Sequence, residues 1–175
     1  MRVALRFGIH QQEIDLTIQR FKPAVTVAAI VERDGRFLLV EEETAEGLRW
    51  NQPAGHLEPD ESLLQAVVRE TLEETAHELT ALGLLGVYLT PAGEGAYLRF
   101  AFVGTVGHAL PGRRLDTGIH RAFWADADEV RARPDMHRSP TVMRCIDDYL
   151  SARERGRAWL PLDSLAYLPE LGDAR

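Results

Sequence analysis

Gly55-His56-Leu57-Glu58-Pro59-Asp60-Glu61, followed by Ser62-Leu63-Leu64-Gln65-Ala66-Val67-Val68 and then Arg69-Glu70-Thr71-Leu72-Glu73-Glu74-Thr75-Ala76-His77, is the most informative stretch of this 175-residue chain. Ser62 and Gln65 stand at the spacing of a capping box, so a helix is expected over Ser62–Thr75. Asp60 and Glu61 just ahead of it suit the positive end of its dipole. At 3.6 residues per turn, Leu64, Val67, Val68, Thr71 and Thr75 fall on one side, which is expected to face the core. Glu70, Glu73 and Glu74, at i, i+3 and i+4, share a different side, and Arg69 stands four residues before Glu73.

Three neighbouring carboxylates repel one another, by roughly 0.2–0.5 kcal/mol per adjacent pair even in water. Partial burial makes ionisation harder still. Two readings follow. One is a solvated helix face laced with salt bridges, the usual fate of such a run. The other is a platform for Mg²⁺ or Mn²⁺, hard cations that prefer oxygen ligands and share them with phosphate.

Outward from the helix, Trp50–Pro59 is rich in Pro and Gly and is expected to be a loop. Val25–Glu32 and Arg36–Glu43 are apolar segments joined across Asp34-Gly35, a hairpin signal. Leu82–Thr90 and Tyr97–Val106 are expected strands around a Pro91-Ala92-Gly93 turn. His120–Ala125 is a further strand, with a short helix near Asp126–Arg133. A longer helix spans about Ser139–Arg155, with Val142, Cys145, Ile146, Tyr149 and Leu150 as its apolar stripe. This order predicts an α/β fold with a mixed sheet between helices. In residues 1–20, Val3, Leu5, Phe7 and Ile9 alternate, as do Ile14, Leu16 and Ile18, around a turn near His10–Glu13. An added hairpin and an arm exchanged within a homodimer are both consistent with that pattern.

Composition narrows the function. The net charge of −7 disfavours polymeric nucleic acid as a partner, because that binding rests on basic patches. Lys22 is the only lysine, and arginine suits two-pronged phosphate contacts. The longest apolar runs, Ala28–Val31 and Leu82–Leu89, are too short for a membrane span. No secretory signal stands at the N-terminus, so a cytoplasmic location is expected. The single cysteine, Cys145, excludes an intrachain disulfide and a CxxC metal site.

The stretch from Gly55 to His77 resembles the signature of the Nudix hydrolase family, G-x5-E-x7-R-E-U-x-E-E-x-G-U with U a bulky apolar residue. Gly55, Glu61, Arg69, Glu70, Glu73 and Glu74 all stand in register. Thr71, Ala76 and His77 depart, at positions that concern helix packing and its C-terminal cap. The resemblance implies an α/β/α sandwich with a central mixed sheet. It also implies Mg²⁺- or Mn²⁺-dependent cleavage of phosphoanhydride bonds in small nucleotides or pyrophosphates. Glu70 and Glu74 would then be principal metal ligands, and Glu73 a third ligand or the base for the attacking water. A backbone carbonyl near Ala54-Gly55 would complete the shell, with Arg69 and Glu61 orienting the glutamates.

Phe21-Lys22-Pro23, Trp50-Asn51-Gln52-Pro53-Ala54-Gly55-His56-Leu57-Glu58, Tyr97-Leu98-Arg99-Phe100 and Arg138-Ser139-Pro140 extend the likeness to the NudJ-type phosphatases over residues 21–162. That leaves an N-terminal extension, 1–20, and a C-terminal tail, 163–175. The resemblance implies phosphate release from nucleoside di- and triphosphates and from thiamine-pathway pyrophosphates such as hydroxymethylpyrimidine pyrophosphate. The alternatives are a pyrophosphatase of ADP-ribose or similar nucleoside diphosphate derivatives, and a non-catalytic nucleotide-binding module of the same fold. His56, Arg99, Lys22, Arg138 and Asp116 are candidate substrate contacts. Each also has an ordinary structural reading: a loop hydrogen bond for His56, a salt bridge on the sheet for Arg99. Trp50 is a base-stacking candidate or a tryptophan at the core edge. Cys145 is expected to be a packed, inert thiol. His77, His108, His120 and His137 lack ligand spacing and are expected to be structural or surface residues.

Overall fold

The computed structural model describes residues 21–93 and 95–169; the expected N-terminal strands lie outside them. Seven strands follow in the order β1 (Ala24–Arg33), β2 (Arg36–Thr44), β3 (Gly47–Asn51), β4 (Ala54–His56), β5 (Leu79–Ala92), β6 (Gly95–Val106) and β7 (Ile119–Asp126). Helix α1 (Leu63–Thr75) lies between β4 and β5, and α2 (Ala127–Arg131) and α3 (Thr141–Glu154) follow β7. The expected hairpin is present. Asp34 and Gly35 both adopt positive φ, 52° and 81°, the backbone that a two-residue turn between twisted strands needs.

β1 organises the sheet. It runs parallel to β6 from Ala24↔Tyr97 to Val31↔Gly104 and antiparallel to β4 at Thr26–Ala28. It meets β2 only at Glu32↔Phe37 and Arg33↔Arg36. β2 then pairs with β3 and β7, giving a mixed sheet in the order β3-β2-β1-β6-β5. Residues of β1 alternate between two cores, which explains its nearly continuous apolar sequence. Val27, Ala29 and Val31 pack with Phe102 and with Ala66 and Val67 of α1. Ala28 and Ile30 pack on the other face with Ala101, Val142, Cys145 and Ile146. Among the described residues no helix is long and apolar enough to cross a membrane.

Two expectations are corrected. Trp50–Pro59 is not all loop: it holds the end of β3 and the three-residue β4. Val68 is 37% exposed rather than core-facing. In its place Glu70 and Glu74 are buried, because β4 covers a second side of α1. Residues after 162 pack against the fold as well. The Leu162–Ser164 turn and Leu165 lie against the α1-side core, and Leu84 and Leu160 exchange backbone hydrogen bonds of 2.8 and 3.0 Å.

Helix α1 begins with the complete capping box, Ser62 and Gln65 each bonding the other's backbone N–H. It ends at Ala76, held left-handed at φ 58°, where the signature has glycine. Alanine costs about 1 kcal/mol there, partly offset by burial of its methyl group. Ala76→Gly is therefore expected to raise the melting temperature by about 1–3 °C in thermal denaturation. A lower melting temperature would show that the methyl contact outweighs the strain.

Candidate active site

The site forms where β4 passes across α1. Gly55 lies on β4 opposite Val27, its Cα turned toward the helix. A Cβ built on Gly55 would fall inside van der Waals contact with both carboxylate oxygens of Glu70, so only glycine lets the strand pass this close. One position back, the Ala54 N–H donates to Glu74 Oε2 at 2.8 Å.

Arg69 ties the acidic groups together. Its Nη2 donates to Glu61 Oε1 at 2.7 Å and its Nε to Glu61 Oε2 at 3.0 Å, a two-pronged pair. Its Nη1 donates to Glu70 Oε1 at 2.7 Å and Glu73 Oε2 at 3.0 Å, and its Nη2 also reaches the His56 carbonyl at 3.1 Å. Glu61 in turn accepts from the Glu58 N–H at 2.8 Å. The pair with Arg69 holds the Glu61 carboxyl below its ordinary range, and the same bond is the main reason the Arg69 guanidinium holds its proton more firmly than usual.

Glu74 is the opposite case. Burial pushes its carboxyl up to about 8; the Ala54 N–H works against that, while the negative charges of Glu70, Glu42 and Asp116 add to it. Glu70 is raised too, chiefly by burial, with Arg69 opposing. Arg69 thus serves Glu61, Glu70 and Glu73, whereas among the described residues Glu74 faces no cation in direct contact.

The loop after β6 completes the site. It closes on the C-terminal end of α1, with the Leu110 N–H bonding Ala76 O at 2.8 Å, Arg113 Nε bonding Leu72 O at 3.2 Å and the Asp116 N–H bonding Glu73 O at 3.0 Å. Asp116 is thereby brought to the acidic patch. The other substrate candidates are dispersed. His56 is exposed on β4 with its ring edge-on to Tyr97, centroids 5.9 Å apart. Lys22 is exposed ahead of β1. Arg138 reaches Glu42 at 3.5 Å. Among the described residues Arg99 forms no salt bridge; its Nη1 lies 3.5 Å from the side-chain oxygens of Asn51 and Gln52.

Trp50 is a core residue, 2% exposed, with its indole N–H bonded to Glu41 at 3.0 Å and its ring against Phe123, so base stacking is ruled out for it. His77 and His137 bond backbone carbonyls of Gly107 and Val130, and Cys145 is buried with its thiol pushed up to about 11. Glu42, Asn51 and Gln52 were not singled out in the sequence. Their signal was the Asn51-Gln52-Pro53 run facing an acidic strand: Asn51 Nδ2 bonds Glu42 at 3.1 Å, and Gln52 Nε2 bonds the Val142 carbonyl at 2.8 Å.

A sequence profile of the NUDIX domain matches residues 20–145. The chain belongs to the Nudix hydrolase family. It is 37% identical over 134 residues to phosphatase NudJ of Escherichia coli K12, a span of 76% of this chain and 87% of that one. A NUDIX hydrolase from Nitrosomonas europaea superposes with a TM-score of 0.78 at 51% identity, covering 85% of this chain and 99% of the other. The ORF135 protein of E. coli, at 24% identity and a TM-score of 0.63, shares the fold. This Nudix protein is accordingly a hydrolase of pyrophosphate bonds.

Nudix hydrolases generally use divalent metals such as Mg²⁺ or Mn²⁺. Among the described residues, no three acidic, histidine or cysteine side chains stand as a ready-made cage. Glu70 and Glu73 both accept from Arg69 Nη1, whereas Glu74 accepts from the Ala54 N–H. The chemistry of the donors nevertheless fits a hard cation: a glycine cradle against Glu70, and a buried Glu74 carboxylate whose charge no neighbouring cation offsets.

A pH dependence follows. Glu74 has a folded value near 8 against an ordinary 4.5, so between those limits the folded state binds more protons than the unfolded one. Its contribution is present in full below about 4.5 and is lost as pH rises through 8. The loss is of the order of a few kcal/mol. Glu70 acts in the same direction. Glu61 acts in the opposite one: its contribution is lost as pH falls below the ordinary carboxylate range. In chelator-treated protein the melting temperature is expected to fall between pH 6 and 8.5. The gain on adding Mg²⁺, which favours the ionised carboxylates, is expected to be larger at 8.5 than at 6. A Mg²⁺ shift independent of pH would count against this reading of Glu74.

Proposed function

We propose that this Nudix hydrolase releases phosphate from nucleoside di- and triphosphates and from thiamine-pathway pyrophosphates, such as hydroxymethylpyrimidine pyrophosphate, with Mg²⁺ or Mn²⁺ as cofactor. The observation that carries the reading is the closeness of Gly55 to Glu70, beside the buried Glu74 carboxylate, in a chain 37% identical to phosphatase NudJ over most of its length.

Glu70 and Glu74 would hold the metal, together with a backbone carbonyl near Gly55. When bound, the ion neutralises charge on the phosphate and acidifies water. Glu73 is half-buried, its carboxylate bonds only Arg69 among the described residues, and it is the group placed to take a proton from the attacking water or to join the metal shell. Arg69 and Glu61 act through the others: their two-pronged pair fixes the loop to the helix and sets where Glu70 and Glu73 point. Asp116 adds negative field at the far end of the patch. His56, Lys22 and Arg138 remain candidates for contacts to the organic part or the outer phosphates.

The test is a panel of organic pyrophosphates with Mg²⁺, scored separately for phosphate and pyrophosphate. Phosphate from nucleoside triphosphates and hydroxymethylpyrimidine pyrophosphate is expected. Two monophosphates from ADP-ribose, without phosphate from chain ends, would move the protein to the nucleoside diphosphate derivatives. No product from any diphosphate would overturn the proposal.

A further inference from the structure

Arg99 lies in β6, in register with Thr26 of β1 and Tyr88 of β5, and Thr26 is itself in register with His56 of β4. Directly paired residues share a face of a sheet, so His56, Thr26, Arg99 and Tyr88 form one row on the side where α3 packs. Two features set this row apart. The Thr26 hydroxyl is the only buried side-chain polar atom among the described residues without a hydrogen-bond partner. Arg99 is the other.

Arg99 is half-buried, and burial of its guanidinium makes it easier to deprotonate than an ordinary arginine, yet among the described residues no carboxylate contacts it. Its hydrogen bonds are two long ones from Nη1, to Asn51 and Gln52, and both of those amides spend their own N–H donors elsewhere. Glu42 and Glu74 act on it only through space, and Glu42 is already held by Asn51 and Arg138. Nε and Nη2 have no acceptor among the described residues, and neither is sealed from solvent. A desolvated guanidinium without a counter-ion is costly, and an arginine fork matches a phosphate.

We propose that Arg99 anchors the unesterified terminal phosphate of the substrate and so selects for chains that end in one. The inference rests on the proposed phosphate-releasing reaction. Burial of the guanidinium is the reason for choosing an end group: a free phosphate can be enclosed by donors on several sides, whereas a phosphate bridging two organic groups needs an exit on both sides. Glu42 and Glu74 both attract the guanidinium through space, which ties it to the electrostatics of the acidic patch.

The experiment compares wild type, Arg99→Gln and Arg99→Lys in two measurements. One is kcat and KM for GTP. The other is the equilibrium Kd of inorganic phosphate by calorimetry with Mg²⁺ present. Arg99→Gln is expected to raise both KM and the phosphate Kd about 10–100-fold, with kcat changed far less, because a charge-assisted bond made before the chemical step is lost. Arg99→Lys keeps the charge without the fork and is expected to fall between. An unchanged KM and phosphate Kd in both variants would overturn the proposal. So would a fall in kcat and melting temperature at constant KM, which marks a structural role. If wild type hydrolyses no pyrophosphate, the proposed function falls while the phosphate Kd still decides the role of Arg99.

Discussion

Glu74→Gln is expected to lower phosphate release by about 10²–10³-fold while leaving the fold intact, a loss typical of removing one preorganised charge from an active site. The substitution keeps the shape and keeps an oxygen for the Ala54 N–H, which now donates to Glu74 at 2.8 Å. What it removes is the negative charge. That charge is expensive in the metal-free protein, where burial drives the carboxyl up to about 8. Two measurements should therefore move in opposite directions. Turnover with Mg²⁺ collapses, and the melting temperature of chelator-treated protein above pH 8 rises relative to wild type. Equal turnover would reject the role given to Glu74. Lost turnover with lost stability at every pH would mean that Gln had disrupted packing rather than charge.

Arg69→Ala is expected to damage both stability and activity. Among the described residues Arg69 is the one cation bonded to Glu61, Glu70 and Glu73, and it also binds the His56 carbonyl. Its removal leaves Glu61 and Glu70, only 13% and 11% exposed at their side chains, as poorly hydrated charges without a counter-ion. Breaking such pairs costs about 2–4 kcal/mol, reduced toward the lower figure because the guanidinium itself is partly solvated. Activity is expected to fall about 10–100-fold, the usual consequence of losing a group that orients the reacting ones. Arg69→Lys should recover part of the stability and less of the activity, because a single ammonium cannot bridge Glu61 with two prongs while holding Glu70 and Glu73. Chemical denaturation and steady-state kinetics on both variants check this. Full activity in Arg69→Ala would show that the glutamates find their positions unaided.

Helix α1 and the β1–β2 hairpin could be read from the chain because their signals are local. Ser62 with Gln65, and Asp34 with Gly35, each act within four residues. The burial of Glu70 and Glu74 was not legible. Helical periodicity identifies the faces of α1 but does not say how many of them are covered, and the second cover is β4, three residues long and too short to show any alternation. For the same reason Val68, apolar and on the expected side, ends up exposed. The site showed the same division. The Glu61, Arg69 and Glu73 spacing anticipated real bonds. The Ala54 N–H on Glu74 and the Asn51–Glu42 pair depend on strand contacts with no local trace. The isolation of Arg99 is a long-range fact of the same kind: no residue near it in sequence predicts that a strand arginine lacks a carboxylate.

The lone thiol under α3 has a practical use. Cys145 is the only cysteine of the chain, has no solvent exposure and is reluctant to ionise. An alkylating or disulfide-exchange reagent can therefore reach it only when the helix lifts from the sheet. Its labelling rate becomes a clock for that opening, readable by mass spectrometry on the unmodified chain, and substrate or metal that steadies the helix will slow it.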